Sequence, residues 1–329
     1  MSRSGRRFPE RRSGLTRIAL KVDCDTYVGT RDGVPRLLDI FSRRGIRATF
    51  FFTFGPDRSG VAVRRVFTRP GFLAKMLRSR AASLYGFPTV LYGTLLPAPE
   101  IGARCAGVMR AVAAAGHETG VHAWDHVAWH DGLDRMSADA MRALMSRAHE
   151  KYREIFGRPA RAAAAAGWTV NARSLEVEAE RELLYTSNTR GGAPFFPSAG
   201  GTAFSTLEVP STLPTLDETL AWPHLSTDAA QREFFRGAIG GEGGSGVETG
   251  ASQGAHVHTI HAEVEGRSKA SLFEAILDDW RTAGAEFRPL GDIAGEALAR
   301  RAEVPAREVV RVQIPGRGGT VATGWPETS

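Results

Sequence analysis

The feature that most constrains the fold is an alternation of strand-like and helix-like stretches running through most of the chain. TRIALKVD (16–23) is apolar and β-branched enough for a buried strand. GVPRLLDIFSRR (33–44) reads as a helix, with Pro35 tolerated in the first turn and Gly45 placed to end it. RATFFFTFG then gives an aromatic-rich second strand, 102–115 a helix stopped at Gly116, and HETGVH a short third strand. Ser137 can cap the next helix, in which Met141, Leu144, Met145, Ala148, Tyr152 and Ile155 recur at helical spacing before Gly157 and Pro159. Those residues read as core. ARAAAAAG and LLYTSN are weaker strands, the first assigned only from its place in the alternation. HVHTIHAEV is a late strand, SKASLFEAILDDWRTAG the helix after it, and EFRPL closes the series. Such a pattern argues for a mainly parallel sheet covered by helices, either a barrel or an open sheet.

Four segments stand outside this rhythm. Residues 1–15 form a basic extension, and about 56–101 an insertion rich in Arg, Gly and Pro. Residues 237–254 are glycine-rich and read as a flexible loop. The stretch 304–329 has no clear periodicity and reads as a disordered tail. The domain expected to carry the chemistry is 16–300.

In parallel α/β folds, the C-terminal ends of the strands form a common rim where function sits. KVDCDT closes the first strand, and the period of two points Asp23 and Asp25 one way and Cys24 the other. Two carboxylates on one face are costly unless a cation holds them; a DxD that only caps the following turn is the bland alternative. VHAWDHVAWH (121–130) carries His122, His126 and His130 at intervals of four, a spacing that would place neighbouring imidazoles on one face of a helix. Trp168 follows the fourth strand, Asn188 and Arg190 the fifth, and His261 the late strand. Five segments thus bring polar groups to one rim. Two histidines and a carboxylate make a three-ligand site with open positions, suited to Zn²⁺, Co²⁺, Mn²⁺ or Fe²⁺. A second carboxylate as general base and a remote histidine as acid complete an inventory for amide hydrolysis.

Taken together, the DxD, the HxxxH and the late histidine resemble the polysaccharide deacetylase (NodB-homology) superfamily. Closer still, KVDCDTYVGTRDGVPRLL, ATFFFTFGPD, FLAKMLRSRAASLYG, GHETGVHAWDHVAWH, AAAGW and HTIHAEVEG resemble its 4-deoxy-4-formamido-L-arabinose-phosphoundecaprenol deformylases. The match runs from about Thr16 to Leu290. It implies a distorted (β/α) barrel, one divalent metal (Zn, Co or Mn), and removal of formate from an amino sugar linked to undecaprenyl phosphate, a step in lipid A modification that lessens the action of cationic antimicrobial peptides. By position, Asp23 would be the general base, Asp25, His122 and His126 the metal ligands, and His261 the general acid. His130 has no role in that motif and reads as solvated or supporting. Trp168, Asn188 and Arg190 are expected to bind substrate, Asn188 standing where the family usually carries an aspartate that tunes the acid histidine. The Arg-x-Pro-aromatic element of the wider superfamily is replaced by AAAGW, which argues against chitin-like polymers.

The formal charge of +6 is compatible with acidic lipid, nucleic acid or a phosphorylated substrate. No zinc-finger or RNP-like signature is present, so no nucleic acid is expected. Within 58–86 seven cations occur with no acidic residue, interleaved with apolar side chains. Arg64, Arg65, Phe72, Leu73, Lys75 and Arg78 are the expected contacts to an anionic membrane surface. The first 17 residues lack an apolar run, no stretch approaches a membrane span, and Cys24 and Cys105 give no disulfide framework. The expectation is a peripheral protein on the cytoplasmic side of a bacterial inner membrane. Two other readings remain: a deacetylase of another N-acyl sugar, and a basic surface-binding protein with a degenerate site.

Overall fold

The computed structural model describes residues 16–63, 89–240 and 255–324. Its centre is β1 (Arg17–Cys24), where every residue after Arg17 is buried, as expected of a strand covered on both faces. Along one edge β1 pairs in parallel with β9 (Ala255–His261). Its other edge is shared, β10 (Glu286–Arg288) taking the first residues and β2 (Thr49–Thr53) the last. From β2 the parallel sheet continues through β3 (Glu118–Ala123), β4 (Ala162–Ala163), β5 (Tyr185–Thr186) and β8 (Leu207–Glu208). The chain leaving β8 then returns to β9, where Thr212 N–H donates to Val257 O (3.0 Å) and Val257 N–H to Thr212 Oγ1 (2.9 Å). A loop rather than a strand thus joins the two ends, and the expected distorted (β/α) barrel results.

Helices α1 (Val34–Arg44), α2 (Ile101–Ala114), α4 (Ala138–Phe156) and α8 (Ala270–Thr282) cover the outside; α3 (His126–Gly132) lies at the rim. Their ends follow local rules. Gly45 and Gly157 take left-handed conformations after α1 and α4, and Ser137 Oγ accepts from Ala140 N–H at the start of α4. The outer core joins Leu37, Ile40 and Phe41 of α1 with Cys105, Met109 and Val112 of α2 and Phe273, Ile276 and Trp280 of α8. Inside the barrel, Ala19, Phe51, Ala162, Ala164, Tyr185 and Leu207 form a second cluster. The poor strand former at ARAAAAAG is explained here. Its small side chains, with Gly120, make room for Phe51, whose ring would lie 2.6 Å from a Cβ on Gly120.

Three expectations need correction. The stretch 304–329 is no disordered tail as far as it is described. β11 (Ala306–Glu308) pairs with β6 (Phe196–Ala199), which also pairs with β7 (Thr202–Ala203), and β12 (Val310–Gln313) pairs with β13 (Thr320–Thr323). Val321, Ala322 and Thr323 are buried; the periodicity is hidden because β12 buries nothing fully. The glycine-rich stretch begins inside a helix, α7 (Asp228–Gly240), because Phe235, Ala238 and Ile239 pack on the core; 241–254 lie outside the described residues. The strand at HVHTIHAEV stops at His261, and Val264–Ser268 forms a wide helical turn. The expected membrane contacts Arg64, Arg65, Phe72, Leu73, Lys75 and Arg78 also lie outside the described residues. Among the described residues no helix is long and apolar enough to cross a membrane.

The wide turns after β1 and β9 touch backbone to backbone. A Cβ on Gly33 would lie 2.0 Å from Ala262 O, next to His261. Gly33→Ala should therefore cost about 1–3 kcal/mol, the usual range for overpacking. Gly107, inside α2 with nothing within 4 Å of its would-be Cβ, should gain up to about 1 kcal/mol on replacement by Ala. Urea denaturation of both variants checks the pair, and equal stabilities would contradict the packing.

Candidate active site

The site is assembled by strand register. Asp23 of β1 stands directly across from His261 of β9, and Ala262 N–H donates to Asp23 O at 3.0 Å. Asp25 follows β1, His122 lies in β3, and His126 opens α3. HxxxH is thus not one helical face. It straddles a strand-to-helix turn, which Asp125 stabilises by capping α3, its Oδ1 accepting from Ala128 N–H at 2.9 Å. The helical pair is instead His126 and His130, whose rings stack 6.4 Å apart.

Asp25, His122 and His126 offer ligand atoms lying within 4.8 Å of one another. His122 Nε2 is 3.1 Å from Asp25 Oδ1, and His126 Nε2 is 3.4 Å from Oδ2. Asp23 Oδ1 is buried with no hydrogen-bond partner among the described residues. Burial pushes the Asp25 carboxyl up, but His126 and His122 outweigh it and hold the group well below the usual carboxylate range. For His122, burial works downward, yet Asp23 and Asp25 raise it overall. The Asp25 carboxyl is thereby kept ionised, and burial lowers the pKa of His126, so both favour the deprotonated forms that a metal ion requires. A carboxylate and two imidazoles fit a divalent ion of the borderline type.

Asp23 has a partner that the sequence reading passed over. Lys21, two residues earlier on the same face of β1, is fully buried and sets Nζ 3.2 Å from Asp23 Oδ2. It also donates to Ser187 O at 3.0 Å. The period of two in KVD was the available signal. Such a partner is what a buried carboxylate requires.

His261 is likewise supported. Its Nδ1 lies 3.2 Å from Asp217 Oδ1, and its N–H donates to Glu265 Oε2 at 2.8 Å. Burial alone would lower its pKa, but Asp217 reverses the direction and holds it well above the ordinary imidazole range. Asp217 sits in the first turn of α6 (Leu216–Thr219), which has a reciprocal capping box between Thr215 and Glu218. TLDE therefore carried a readable signal for the turn, but none for its position beside His261.

Asn188 and Arg190 need correction as substrate-binding residues. Asn188 is fully buried, its Nδ2 donating to Glu178 Oε2 at 2.6 Å; the carboxylate beside His261 is Asp217. Arg190 is committed to Glu218, with Nη1 2.9 and 3.0 Å from the two carboxylate oxygens, and to Leu213 O. Trp168 is 1% exposed and forms the inner wall rather than an open face. Its indole stands edge-on to the His261 ring, 6.3 Å away, and Nε1 donates to Ser211 Oγ at 3.1 Å. Trp168 adopts φ 52° directly after Gly167 at φ 62°, a conformation that costs about 1–3 kcal/mol at a bulky residue. His130 bears on that turn: a Cβ on Gly167 would lie 2.3 Å from His130 Cδ2.

If the cluster holds a metal, His122→Ala should lower affinity for added Co²⁺ or Zn²⁺ by more than the ~10–100-fold that loss of an outer partner costs. His130→Ala should stay within that margin. Titration calorimetry of the metal-free proteins separates the two, and equal losses would mean that the wrong histidine pair has been chosen.

Residues 16–185 match the family model for polysaccharide deacetylase. A probable 4-deoxy-4-formamido-L-arabinose-phosphoundecaprenol deformylase of Shewanella sediminis is 36% identical over 305 residues, 93% of each chain. A protein of the same name from Wigglesworthia glossinidia brevipalpis is 30% identical over 90% of this chain and 98% of its own. Among solved structures, a protein of the polysaccharide deacetylase family from Mycobacterium smegmatis superposes with TM-score 0.61 at 18% identity, covering 92% of this chain and 96% of that one. A probable polysaccharide deacetylase from Pseudomonas aeruginosa PAO1 gives 0.58 at 18% identity over 86% and 92%. These likenesses confirm the barrel. With the family model spanning the sheet from β1 to β5 and relatives aligned nearly end to end, the chain belongs to the polysaccharide deacetylase family.

Proposed function

We propose that this protein is a metal-dependent deformylase that hydrolyses the formamido group of 4-deoxy-4-formamido-L-arabinose carried on undecaprenyl phosphate. The observation that carries this reading is the register opposing Asp23 and His261, a base and an acid, across two strands beside the Asp25–His122–His126 cluster. The printed names of the relatives, aligned over 93% and 90% of the chain, support the substrate. A divalent ion held by Asp25, His122 and His126 would polarise the formyl carbonyl. Asp23, paired with Lys21, takes a proton from the attacking water as its oxygen bonds to the formyl carbon. His261, kept protonated by Asp217, gives its proton to the sugar nitrogen as the C–N bond breaks. Formate and the free amine leave. Trp168 closes the inner wall and limits competing water.

The purified protein, loaded with Mn²⁺, Co²⁺ or Zn²⁺, should release formate from the formamido-sugar lipid. Asp23→Asn should lose about 10²–10⁴-fold in rate, the span of general base catalysis, while keeping its metal. Asp217→Asn should act through pH. Asp217 raises the His261 pKa, so its removal lets the acid form disappear at lower pH, and the alkaline limb of the rate profile should move down. Absence of formate with every metal would sink the activity, and an unmoved limb would remove Asp217 from the mechanism.

The same substrate supports a place at the cytoplasmic face of the inner membrane, because a polyprenyl tail stays in the bilayer. The acid-free basic segment 58–86 and the 80% exposed Leu95 just beyond it suit an anionic surface. Vesicles rich in phosphatidylglycerol should float the protein at low salt and release it as salt screens the charges. No flotation at low salt would remove the membrane role of this segment.

A further inference from the structure

The C-terminal hairpin of β12 and β13 brings a cation to the mouth of the site. Both of its strands are anchored near the open end. Arg190 N–H donates to Ala322 O at 2.9 Å, and Arg311 pairs with Asp134 at 2.7 Å while donating to Val170 O. The turn between the strands is fitted just as tightly. Gly316 has φ 86°, and a Cβ there would lie 2.5 Å from Glu218 O and 2.9 Å from Trp222 Nε1. Only glycine suits both demands. The next residue, Arg317, is therefore held in place rather than left to sample solvent.

Its guanidinium stacks on the indole of Trp168, 4.6 Å from the ring centroid. Among the described residues its side-chain hydrogen bonding is a single 3.5 Å contact to Glu218 Oε1. Glu218 is already satisfied: Arg190 Nη1 reaches both its oxygens at 2.9 and 3.0 Å, and Thr215 N–H donates at 3.0 Å. One carboxylate thus faces two guanidinium groups and neutralises the inner one, whose side chain is 4% exposed against 19% for Arg317. Arg317 also lies near enough to Asp217 to help lower that carboxyl's pKa, but most of its hydrogen-bond donors are left for something else. Trp168 links it to the chemistry, since the same indole meets the His261 ring at 89° and 6.3 Å. The indole thus stands between the two, 6.3 Å from the His261 ring and 4.6 Å from the guanidinium.

We infer that Arg317 binds the phosphate that joins the sugar to its lipid, and so makes the enzyme select a glycosyl phosphodiester over an uncharged N-formyl sugar. This rests on the deformylase reading. A planar fork of donors, pre-positioned by stacking, matches two phosphate oxygens at once. Placed at the far side of the sugar from the formyl group, it fixes which nitrogen faces Asp23 and His261. It also explains why both strands of the hairpin are docked: an anchor for a charged group must not give way when the ligand pulls on it.

The test uses the full-length metal-loaded enzyme with two soluble probes, the formamido sugar as a short-prenyl phosphodiester and as its neutral methyl glycoside. Wild type should prefer the phosphodiester. Arg317→Gln, which removes the charge and the guanidinium fork but leaves a polar side chain beside the indole, should lose about 10- to 100-fold in kcat/KM on the phosphodiester. It should leave the methyl glycoside rate unchanged, and Arg317→Lys should recover part of the loss. Equal losses on both probes, or no loss on the phosphodiester, would overturn the inference while leaving deformylation standing. A wild type inert towards both probes would overturn the deformylase reading and this inference with it.

Discussion

Everything at the rim depends on the parallel pairing of β1 with β9. Their register runs without a break from Arg17 opposite Ala255 to Asp23 opposite His261. A slip by one residue would turn every side chain of one strand to the other face. It would send His261 into the core and expose Ile260, which is fully buried. Hydrophobic burial therefore fixes the register, and the register fixes the placement of Asp23 against His261. The two catalytic candidates need no contact with each other; the backbone sets them side by side.

The second requirement is to hold ionisable groups in a buried place. Lys21, Asp23, Arg190, Glu208, Glu218, Glu263 and Glu265 are all nearly inaccessible. Burial of such groups is expensive unless each finds partners. Here many of the partners are backbone N–H groups of the rim loops. Glu263 accepts from Asp25 N–H, Thr26 N–H and the Thr26 hydroxyl at 2.7–3.0 Å. Glu208 does the same for the loop after β5, accepting from Asn188 N–H, Thr189 N–H and two hydroxyls. A carboxylate from one strand end thus holds the loop leaving another. Loops tied in this way can carry ligand atoms with the rigidity of strands.

What could be read from the sequence follows the same division. The alternation, the caps at Ser137 and Gly157, and the shared face of Asp23 and Asp25 are local patterns, and each is legible from neighbours in the chain. HxxxH was legible as a spacing but not as a shape, because the strand end at Ala123 and the cap at Asp125 compete with a continuous helix. Asp217 and Arg317 were beyond reach for a different reason. Nothing near either residue refers to His261 or Trp168; only the closure of the barrel brings them there. The hairpin after Val304 lacked a hydrophobic stripe because it buries side chains through β13 alone, while no residue of β12 is fully buried. Asn188 misled in the opposite way. The position resembled the place of an aspartate, yet the side chain turns to Glu178 and the acid comes from a later loop.

Glu178 shows how far this logic extends beneath the site. Burial, reinforced by Glu208, pushes its carboxyl up to about 8, so near neutral pH it is largely a protonated acid. Asn188 supplies a donor to one oxygen at 2.6 Å. An ionised aspartate at 188 would offer that oxygen no donor, and it would add a second negative charge beside Glu208. The amide at 188 and the acid at 178 are therefore a matched pair, and the neutral residue reflects its neighbour rather than a damaged site. The carboxylate that meets His261 is Asp217, whose carboxyl burial would raise but His261 holds well below the usual range. The two carboxyls thus end in opposite protonation states because one faces an imidazolium and the other faces an amide and a second acid.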